Sequence, residues 1–201
     1  MDPEKNYTLM YYDSNAEEYY NGTVNADLTD CYKRFLKYVK DGAHILDAGC
    51  GSGRDSKYFL SKGYSITAID GSAELCILAE KNIGQPVYCM NFLDLKYEND
   101  FDAVWACASL LHVDENNIDE VVNKLYRSLK EGGILYASFK YGNGSRIDNN
   151  QRYFYDLNEE RMAYLFNRFE IKEMWDSNDV RPGRTEKWIN IIVEKKNIFI
   201  E

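Results

Sequence analysis

Hydrophobic and polar positions along this chain form two alternating kinds of segment. Short, nearly continuous apolar runs, which are typical of buried parallel strands, occur at 45–46, 65–69, 101–107, 134–139, 169–175 and 188–195. Apolar residues recur instead at helical spacing in two other stretches, at Leu28, Cys31, Tyr32, Phe35, Leu36 and Val39 and at Ile118, Val121, Val122, Leu125 and Leu129. Another helix is expected at 55–62. Strands that alternate with helices predict one α/β domain.

A glycine-rich turn follows the first predicted strand. Asp47 lies at the end of that strand, and Gly49, Gly51 and Gly53 alternate with small residues before the helical segment. Glycine has no Cβ, so the backbone of such a turn can approach a ligand closely. Asp70 ends the second predicted strand, where nucleotide-binding folds place a carboxylate on ribose hydroxyls. Together these features predict a site for a nucleoside cofactor.

The spacing of the glycines separates two classes of cofactor. A dinucleotide site needs G-x-G-x-x-G, but Arg54 and Ser56 occupy the positions where the third glycine would fall. The chain has G-x-G-x-G, preceded by an acidic residue. Residues 47–53 thereby resemble motif I of the class I S-adenosylmethionine-dependent methyltransferases, and the resemblance extends over roughly residues 30–195.

This resemblance implies a doubly wound, Rossmann-like α/β fold. Its seven-stranded sheet would be mainly parallel, with helices on both faces and the last strand antiparallel. The cofactor would be S-adenosylmethionine, with Asp70 on its ribose, and Asn91 stands where the family has an Asp near adenine, with Asp94 as the other candidate. The residues expected to contact or shape the cofactor site are Asp47, Gly49, Cys50, Gly51, Gly53, Asp70, Gly71, Ser72, Asn91, Phe92, Ala106 and Cys107.

Residues 1–41 are expected to form a helical lid or cap. Tyrosines crowd its first half, and many small-molecule methyltransferases use such a segment to cover the cofactor. Tyr12 and Tyr20 are selected as cofactor contacts, because electron-rich rings suit a sulfonium cation. The alternative is a docked helix whose tyrosines only pack.

The loops after the fourth, fifth and sixth strands are expected to face the substrate. His112 follows the fourth strand and is a candidate general base, the alternative being that it caps or packs the next helix. Residues 140–187 would supply substrate-side loops, with Tyr141, Arg152, Arg181 and Arg184 as candidate contacts to an anionic substrate. The alternative is a set of surface ion pairs with Asp148, Asp156, Asp176 and Asp179.

Composition narrows the function. The chain has 201 residues and a net charge of −9, which suits a single domain, 1–201, and favours a small-molecule substrate over nucleic acid. Two alternative functions stay open: an RNA or tRNA methyltransferase, and a non-catalytic sensor or partner subunit that binds the cofactor. The oligomeric state also stays open. An aminopropyltransferase is disfavoured, since no acidic gate motif follows the fourth strand. Five cysteines without a C-x-x-C pair argue against disulfides and against a zinc site, and no other metal site is expected. No leader peptide and no apolar run of membrane-spanning length is visible in the sequence. We therefore expect a cytoplasmic protein without a membrane partner.

Overall fold

The computed structural model describes residues 6–196. Nine strands are present in this part of the chain, namely β1 (His44–Ala48), β2 (Ser65–Asp70), β3 (Val87–Cys89), β4 (Phe101–Ala106), β5 (Leu129–Lys140), β6 (Gly144–Ile147), β7 (Tyr153–Asp156), β8 (Phe169–Asn178) and β9 (Lys187–Lys195). The α-helices of the same part are α1 (Tyr7–Ser14), α2 (Ala16–Thr23), α3 (Thr29–Leu36), α4 (Arg54–Ser61), α5 (Ala73–Ile83), α6 (Ile118–Ser128) and α7 (Glu159–Leu165). Short 3₁₀ helices lie at Phe92–Asp94 and Leu110–His112.

Seven of the strands form one sheet in the order β3-β2-β1-β4-β5-β9-β8. The first five pair in parallel, and β9 runs antiparallel to both β5 and β8. The prediction of a seven-stranded, mainly parallel sheet with an antiparallel last strand is therefore confirmed. Because β1 has β2 on one side and β4 on the other, a crevice opens at the carboxyl ends of β1 and β4, where doubly wound sheets bind ligands.

Helices cover both faces of the sheet, as predicted. On one face, α3, α4 and α5 enclose an aromatic core around Phe35, Phe59 and Trp105, and the Trp105 ring stacks on Tyr136 with 4.0 Å between centroids. On the other face, α6 and α7 bury aliphatic and aromatic residues such as Leu125. The buried apolar area on both faces fixes the sheet rigidly, so its carboxyl edge can position a site.

The glycine pair before the fifth strand differs from expectation. The sequence predicts that 130–133 end a helix before a strand that begins at Ile134. Instead, β5 begins at Leu129, directly after α6, and Leu129 pairs with Phe101. The register shifts before Ile134 pairs with Ala103, and Gly132 has φ +71°. The glycines thus lie in an irregularity within the strand, which a left-handed glycine permits.

The segment 140–187 holds more regular structure than the predicted loops. It contains the β6–β7 hairpin, α7 and all of β8. The hairpin is not part of the main sheet, but Tyr141 forms an isolated bridge to Leu157 at its base. Along 6–196, the structure has no helix of the length and apolar character that a membrane crossing requires.

Candidate functional site

The glycine turn between β1 and α4 folds against the end of β2. The N–H groups of Gly49 and Cys50 both donate to the carbonyl oxygen of Ile69, each at 2.9 Å. Gly49 has φ +84°, and a Cβ built on it would lie 2.4 Å from the Cβ of Ser109. Both the backbone conformation and the lack of space therefore require glycine at position 49.

Asp70 ends β2 with its carboxylate beside this turn. Oδ2 accepts the N–H of Gly51 at 2.8 Å, and Oδ1 accepts the N–H of Ser72 at 2.9 Å. Burial raises the pKa of Asp70, and these backbone donors oppose the rise. The carboxylate is held in place with acceptor capacity left over for hydroxyl groups of a ligand.

Asp47 lies beneath the turn. Its side chain is buried and its Oδ2 accepts a hydrogen bond from the Ser56 hydroxyl at 2.6 Å. Burial, reinforced by the nearby Asp55 carboxylate, raises the pKa of Asp47 to about 8. From this position Asp47 can tie β1 to α4 and so shape the turn, while the ligand would lie on the other side of the backbone.

The residues expected near adenine lie around the same turn. The Asn91 Oδ1 is 3.4 Å from the place where a Cβ on Gly71 would be, and the Phe92 ring is 3.3 Å from the corresponding point on Gly49. The other candidate, Asp94, lines a separate surface cavity. The structure therefore places Asn91 beside Gly71 and Phe92 beside Gly49, whereas Asp94 lines the cavity.

The backbone after β4 is held in an unusual conformation. Ala106 is fully buried, and Ala108 has φ +52°, which is unfavourable for a residue with a Cβ. The Ala108 N–H donates to the Ser138 hydroxyl at 2.8 Å, and the Ser109 hydroxyl donates to the Ala48 carbonyl at 2.6 Å. These bonds hold the segment after β4 against β5 and against the end of β1. Backbone strain such as that at Ala108 is common at functional sites.

Arg54 and Asp55 form a buried ion pair at the start of α4. The Arg54 Nε and Nη2 donate to the two carboxylate oxygens at 2.6 and 2.9 Å, and Asp55 also accepts from the Tyr32 hydroxyl and the Trp105 indole N–H. Burial alone would raise the pKa of Asp55, but Arg54 and these donors outweigh it and lower that pKa. The pair therefore stays ionised.

Sequence reasoning did not select Arg54 as a site residue. Its Nη1 is 3.5 Å from the Thr23 carbonyl oxygen and its Nη2 is 3.9 Å from the Cys107 Sγ. The guanidinium thus lies between α2 and the end of β4, on the side where the methionine end of the cofactor is expected. Its place immediately after the third glycine was the available signal.

Tyr12 and His112 form a hydrogen-bonded pair across the site. The distance from the Tyr12 hydroxyl oxygen to His112 Nε2 is 2.8 Å, and His112 Nδ1 is 2.7 Å from the Tyr153 carbonyl oxygen. Because a carbonyl only accepts, Nδ1 carries the proton and Nε2 accepts from Tyr12. Burial lowers the pKa of His112 to about 4, and the Arg152 and Lys140 charges add to that effect.

The N-terminal helices α1 and α2 lie over the glycine turn, whereas α3 belongs to the core. Tyr19 is the tyrosine of α2 that covers the turn, with its ring 3.2 Å from the place of a Cβ on Gly51. The three atoms nearest to that point all belong to Tyr19, and none to Tyr20, the residue selected from sequence. Leu9 of α1 lies against Gly71 and was also not selected. The first five residues of the predicted lid lie outside the described residues.

The three arginines selected in segment 140–187 each lie near a carboxylate. Arg152 donates through Nε and Nη2 to one carboxylate oxygen of Asp148, at 3.0 and 2.6 Å, and Arg181 donates to both oxygens of Asp179, at 2.9 and 2.5 Å. Arg184 lies 3.8 Å from Glu186 at the surface. Of these side chains, Arg152 is near the Tyr12–His112 pair, since its guanidinium is 6.0 Å from the centre of the Tyr12 ring.

The Tyr141 side chain is directed away from the Tyr12–His112 pair. Its hydroxyl donates to Glu159 at 2.9 Å, at an exposed position. Within residues 6–196, His, Cys, Asp and Glu side chains form no group of three or more that is arranged to hold a metal ion.

Comparisons with known proteins match part of this chain to methyltransferases. A family model described as a methyltransferase domain matches residues 46–137. Over 95 residues the chain is 33% identical to malonyl-[acyl-carrier protein] O-methyltransferase of Enterobacter lignolyticus, covering 46% of this chain and 37% of that protein. Over 115 residues it is 31% identical to carboxy-S-adenosyl-L-methionine synthase of Shewanella woodyi, covering 52% and 47%. The chain thus spans less than half the length of these two curated relatives.

A solved structure shares the whole architecture. The 1,6-didemethyltoxoflavin-N1-methyltransferase of Burkholderia thailandensis, with bound 1,6-didemethyltoxoflavin and S-adenosylhomocysteine, superposes with a TM-score of 0.74. The alignment covers 94% of this chain and 88% of that chain at 21% identity, which shows a common fold. The matched region is thus that of a methyltransferase domain, and the chain has the fold of this solved methyltransferase.

Proposed function

We propose that this chain transfers the methyl group of S-adenosylmethionine to a small-molecule acceptor. The observation that carries this proposal is the half-buried Asp70 carboxylate, which is held against a glycine turn within the matched methyltransferase domain. A carboxylate in this position suits the two hydroxyls of a ribose. Both the small-molecule acceptor and the methyl-transfer reaction are thus proposed for the whole protein.

The residues around the turn fit this cofactor. Gly49 leaves open the space that a Cβ would fill, and Asp70 would accept from the ribose hydroxyls. Asn91 would present its side-chain oxygen to the adenine amine beside the Phe92 ring. Arg54 would provide a guanidinium for the carboxylate of the methionine end, since only part of its donor set is used by Asp55.

The cofactor supplies an activated methyl group on a sulfonium sulfur, together with a good leaving group. The tasks left to the protein are to position the acceptor, exclude water and remove a proton. Helices α1 and α2 serve the second task, because Tyr19 covers Gly51 and Leu9 covers Gly71. Electron-rich tyrosine rings beside the turn also suit a sulfonium cation.

The Tyr12–His112 pair serves the third task. Since His112 is neutral near pH 7 and Nδ1 is committed to the Tyr153 carbonyl, Nε2 is the atom that can take a proton. An acceptor with an N–H or O–H would pass its proton to the Tyr12 oxygen while the Tyr12 proton moves to Nε2. Low basicity of His112 requires an acceptor whose proton becomes acidic as the methyl group is transferred.

Three observations support a small molecule as the acceptor. The site is enclosed by α1 and α2, the net charge is −9, and the Burkholderia structure holds a small heterocyclic compound. The malonyl-[acyl-carrier protein] relative is named for an acceptor on a carrier protein. Arg152 and Arg181 are already paired with carboxylates, so an anionic acceptor that used them would have to replace Asp148 or Asp179 as their partner.

The test is release of S-adenosylhomocysteine when the protein and S-adenosylmethionine are incubated with a panel of small amines, phenols, heterocycles and carboxylic acids. With a productive acceptor, Tyr12→Phe and His112→Asn are expected to lower kcat by about 100-fold. The matched controls, Tyr164→Phe on the surface of α7 and His44→Asn at the start of β1, should retain activity. Cofactor binding without product over the whole panel would instead indicate a non-catalytic sensor or partner subunit.

A further inference from the structure

Two cysteine thiols lie against the turn that carries Asp70. The Cys76 Sγ, on α5, is 3.5 Å from the Asp70 carbonyl oxygen, and the Cys89 Sγ, at the end of β3, is 3.9 Å from the carbonyl oxygen of the next residue, Gly71. The Cys89 side chain also contributes to the raised pKa of the Cys76 thiol. They are thus adjacent groups at the edge of the proposed ribose and adenine site.

The backbone builds this contact. Strand β3 pairs in parallel with β2, and the register places Cys89 opposite Asp70. Helix α5 begins three residues after Asp70, and its second turn returns Cys76 to the same carbonyl. Because both cysteines lie on regular elements that flank one turn, their proximity does not depend on a mobile surface loop.

The two thiols differ in accessibility. Cys76 is only 6% exposed, whereas Cys89 is exposed and lines a surface cavity of about 530 Å³. Burial raises the pKa of Cys76 to about 12, so its thiol is protonated at neutral pH. A reagent in solution therefore meets Cys89 first, with Cys76 positioned behind it.

We propose that Cys76 and Cys89 are an oxidisable thiol pair, which closes to a disulfide and thereby weakens binding of the cofactor. A hydroperoxide converts the Cys89 thiol to a sulfenic acid and is itself reduced to an alcohol, or to water when it is hydrogen peroxide. The Cys76 sulfur then attacks the Cys89 sulfur, the S–S bond forms, the S–O bond breaks, and the hydroxyl group leaves with the Cys76 proton as water. Two thiols thus supply the two electrons that reduce the peroxide.

The disulfide alters the turn next to Asp70. An S–S bond is about 2.05 Å long, so the two sulfurs must move toward each other to form it. Both S–H donors to the Asp70 and Gly71 carbonyls are lost, and the start of α5 moves relative to β3. Ser72 is the N-cap of α5 and donates to Asp70 through its N–H, so this movement reaches the carboxylate. By linkage, bound cofactor slows or disfavours closure of the disulfide to the same extent.

The effect on affinity rests on the proposed function, whereas formation of the bond does not. The full chain is treated with hydrogen peroxide, the remaining thiols are alkylated, and a tryptic digest is analysed by mass spectrometry. Cys76 and Cys89 lie in separate tryptic peptides, 63–81 and 82–96. We expect these peptides to be linked in the oxidised protein and released by dithiothreitol.

Affinity for S-adenosylhomocysteine is then measured by calorimetry on reduced and oxidised protein. We expect the dissociation constant to rise about fivefold or more on oxidation and to recover on reduction. Cys89→Ser should abolish both the linkage and the loss of affinity, and Cys31→Ser, a buried thiol in the core, should preserve both.

Peptides 63–81 and 82–96 that stay unlinked, or an oxidised protein that binds as tightly as the reduced one, would overturn the proposal. If the reduced protein binds no S-adenosylhomocysteine, the proposed function fails, and the peptide map alone decides whether the thiol pair exists.

Discussion

Gly49 and Gly63 share nearly the same backbone conformation, with φ +84° and +87°, but have different surroundings. A Cβ on Gly49 would lie 2.4 Å from the Ser109 Cβ, whereas nothing lies within 4 Å of one on Gly63. The backbone strain of an alanine is therefore common to both positions, and crowding is confined to one.

Replacing each glycine by alanine separates these two effects. We expect Gly63→Ala to lower the free energy of unfolding by about 1 kcal/mol, from the left-handed backbone alone. Gly49→Ala should lose a further 1–3 kcal/mol, roughly, because Ser109 and the end of β4 must move. Urea denaturation of both variants measures the difference, and equal losses would show that the turn is not packed as described.

His112 makes the stability of the protein depend on pH. Its pKa is about 4 in the folded chain and about 6.5 in an unfolded one, so the unfolded chain binds more protons between these values. The stability that neutral His112 contributes is present above about pH 6.5 and is lost as the pH falls toward 4. This contribution to the free energy of unfolding is on the order of 2 kcal/mol. It is smaller than the full pKa shift would give, because the side chain is partly exposed.

The check is to compare wild type with His112→Asn by urea denaturation at pH 7.5 and pH 5. Wild type should lose more stability than the variant between these two conditions. If the free energies of unfolding of wild type and His112→Asn differ by the same amount at pH 7.5 and at pH 5, His112 titrates normally.

At the scale of elements, α1 and α2 depend on the site for their stability. Each has eight residues, and isolated helices of that length are marginal in water. Three side-chain contacts hold α1 in place: Thr8 Oγ1 accepts the Tyr153 N–H at 2.9 Å, the Ser72 hydroxyl donates to Asp13 at 2.6 Å, and Tyr12 reaches His112. Two of these contacts are to residues of the proposed site.

Hydrogen–deuterium exchange can test this dependence. Adding S-adenosylhomocysteine should slow exchange of the backbone amides in α1 and α2, because Leu9 and Tyr19 lie against the glycines that would touch it. Exchange in α6, which packs into the opposite core, should not change. Equal protection of all three helices, or none in α1 and α2, would contradict a lid role for the N-terminal helices.

The elements that could be predicted from sequence are those whose position and type are set by the pattern of their own residues. Apolar runs located β2, β4 and β9 to within one or two residues, and spacing located the glycine turn and Asp70. The β6–β7 hairpin was not predicted, because β6 is mostly exposed and becomes a strand only by pairing with β7. Tyr19 was missed for a similar reason: only the docking of α2 decides which of its tyrosines faces the turn.

At the scale of the whole molecule, the site is assembled from parts distant in sequence. The sheet order brings the turn after β1, the end of β2 and the segment after β4 to one edge, and α1 and α2 cover that edge. The family match spans the elements from β1 to β5, while Tyr12, Tyr19 and the substrate-side segment lie outside it. Residues of the proposed cofactor site could therefore be predicted from sequence, and the acceptor could not.

Calorimetric titration with S-adenosylmethionine and S-adenosylhomocysteine tests directly whether the site around Asp70 binds this cofactor. We expect wild type to bind with micromolar affinity and Asp70→Asn to bind about tenfold or more weakly, because asparagine keeps the shape of the side chain but removes its charge. Asp102→Asn, at the opposite end of the sheet, should bind as wild type does. Folded wild-type protein that binds neither ligand would contradict the account.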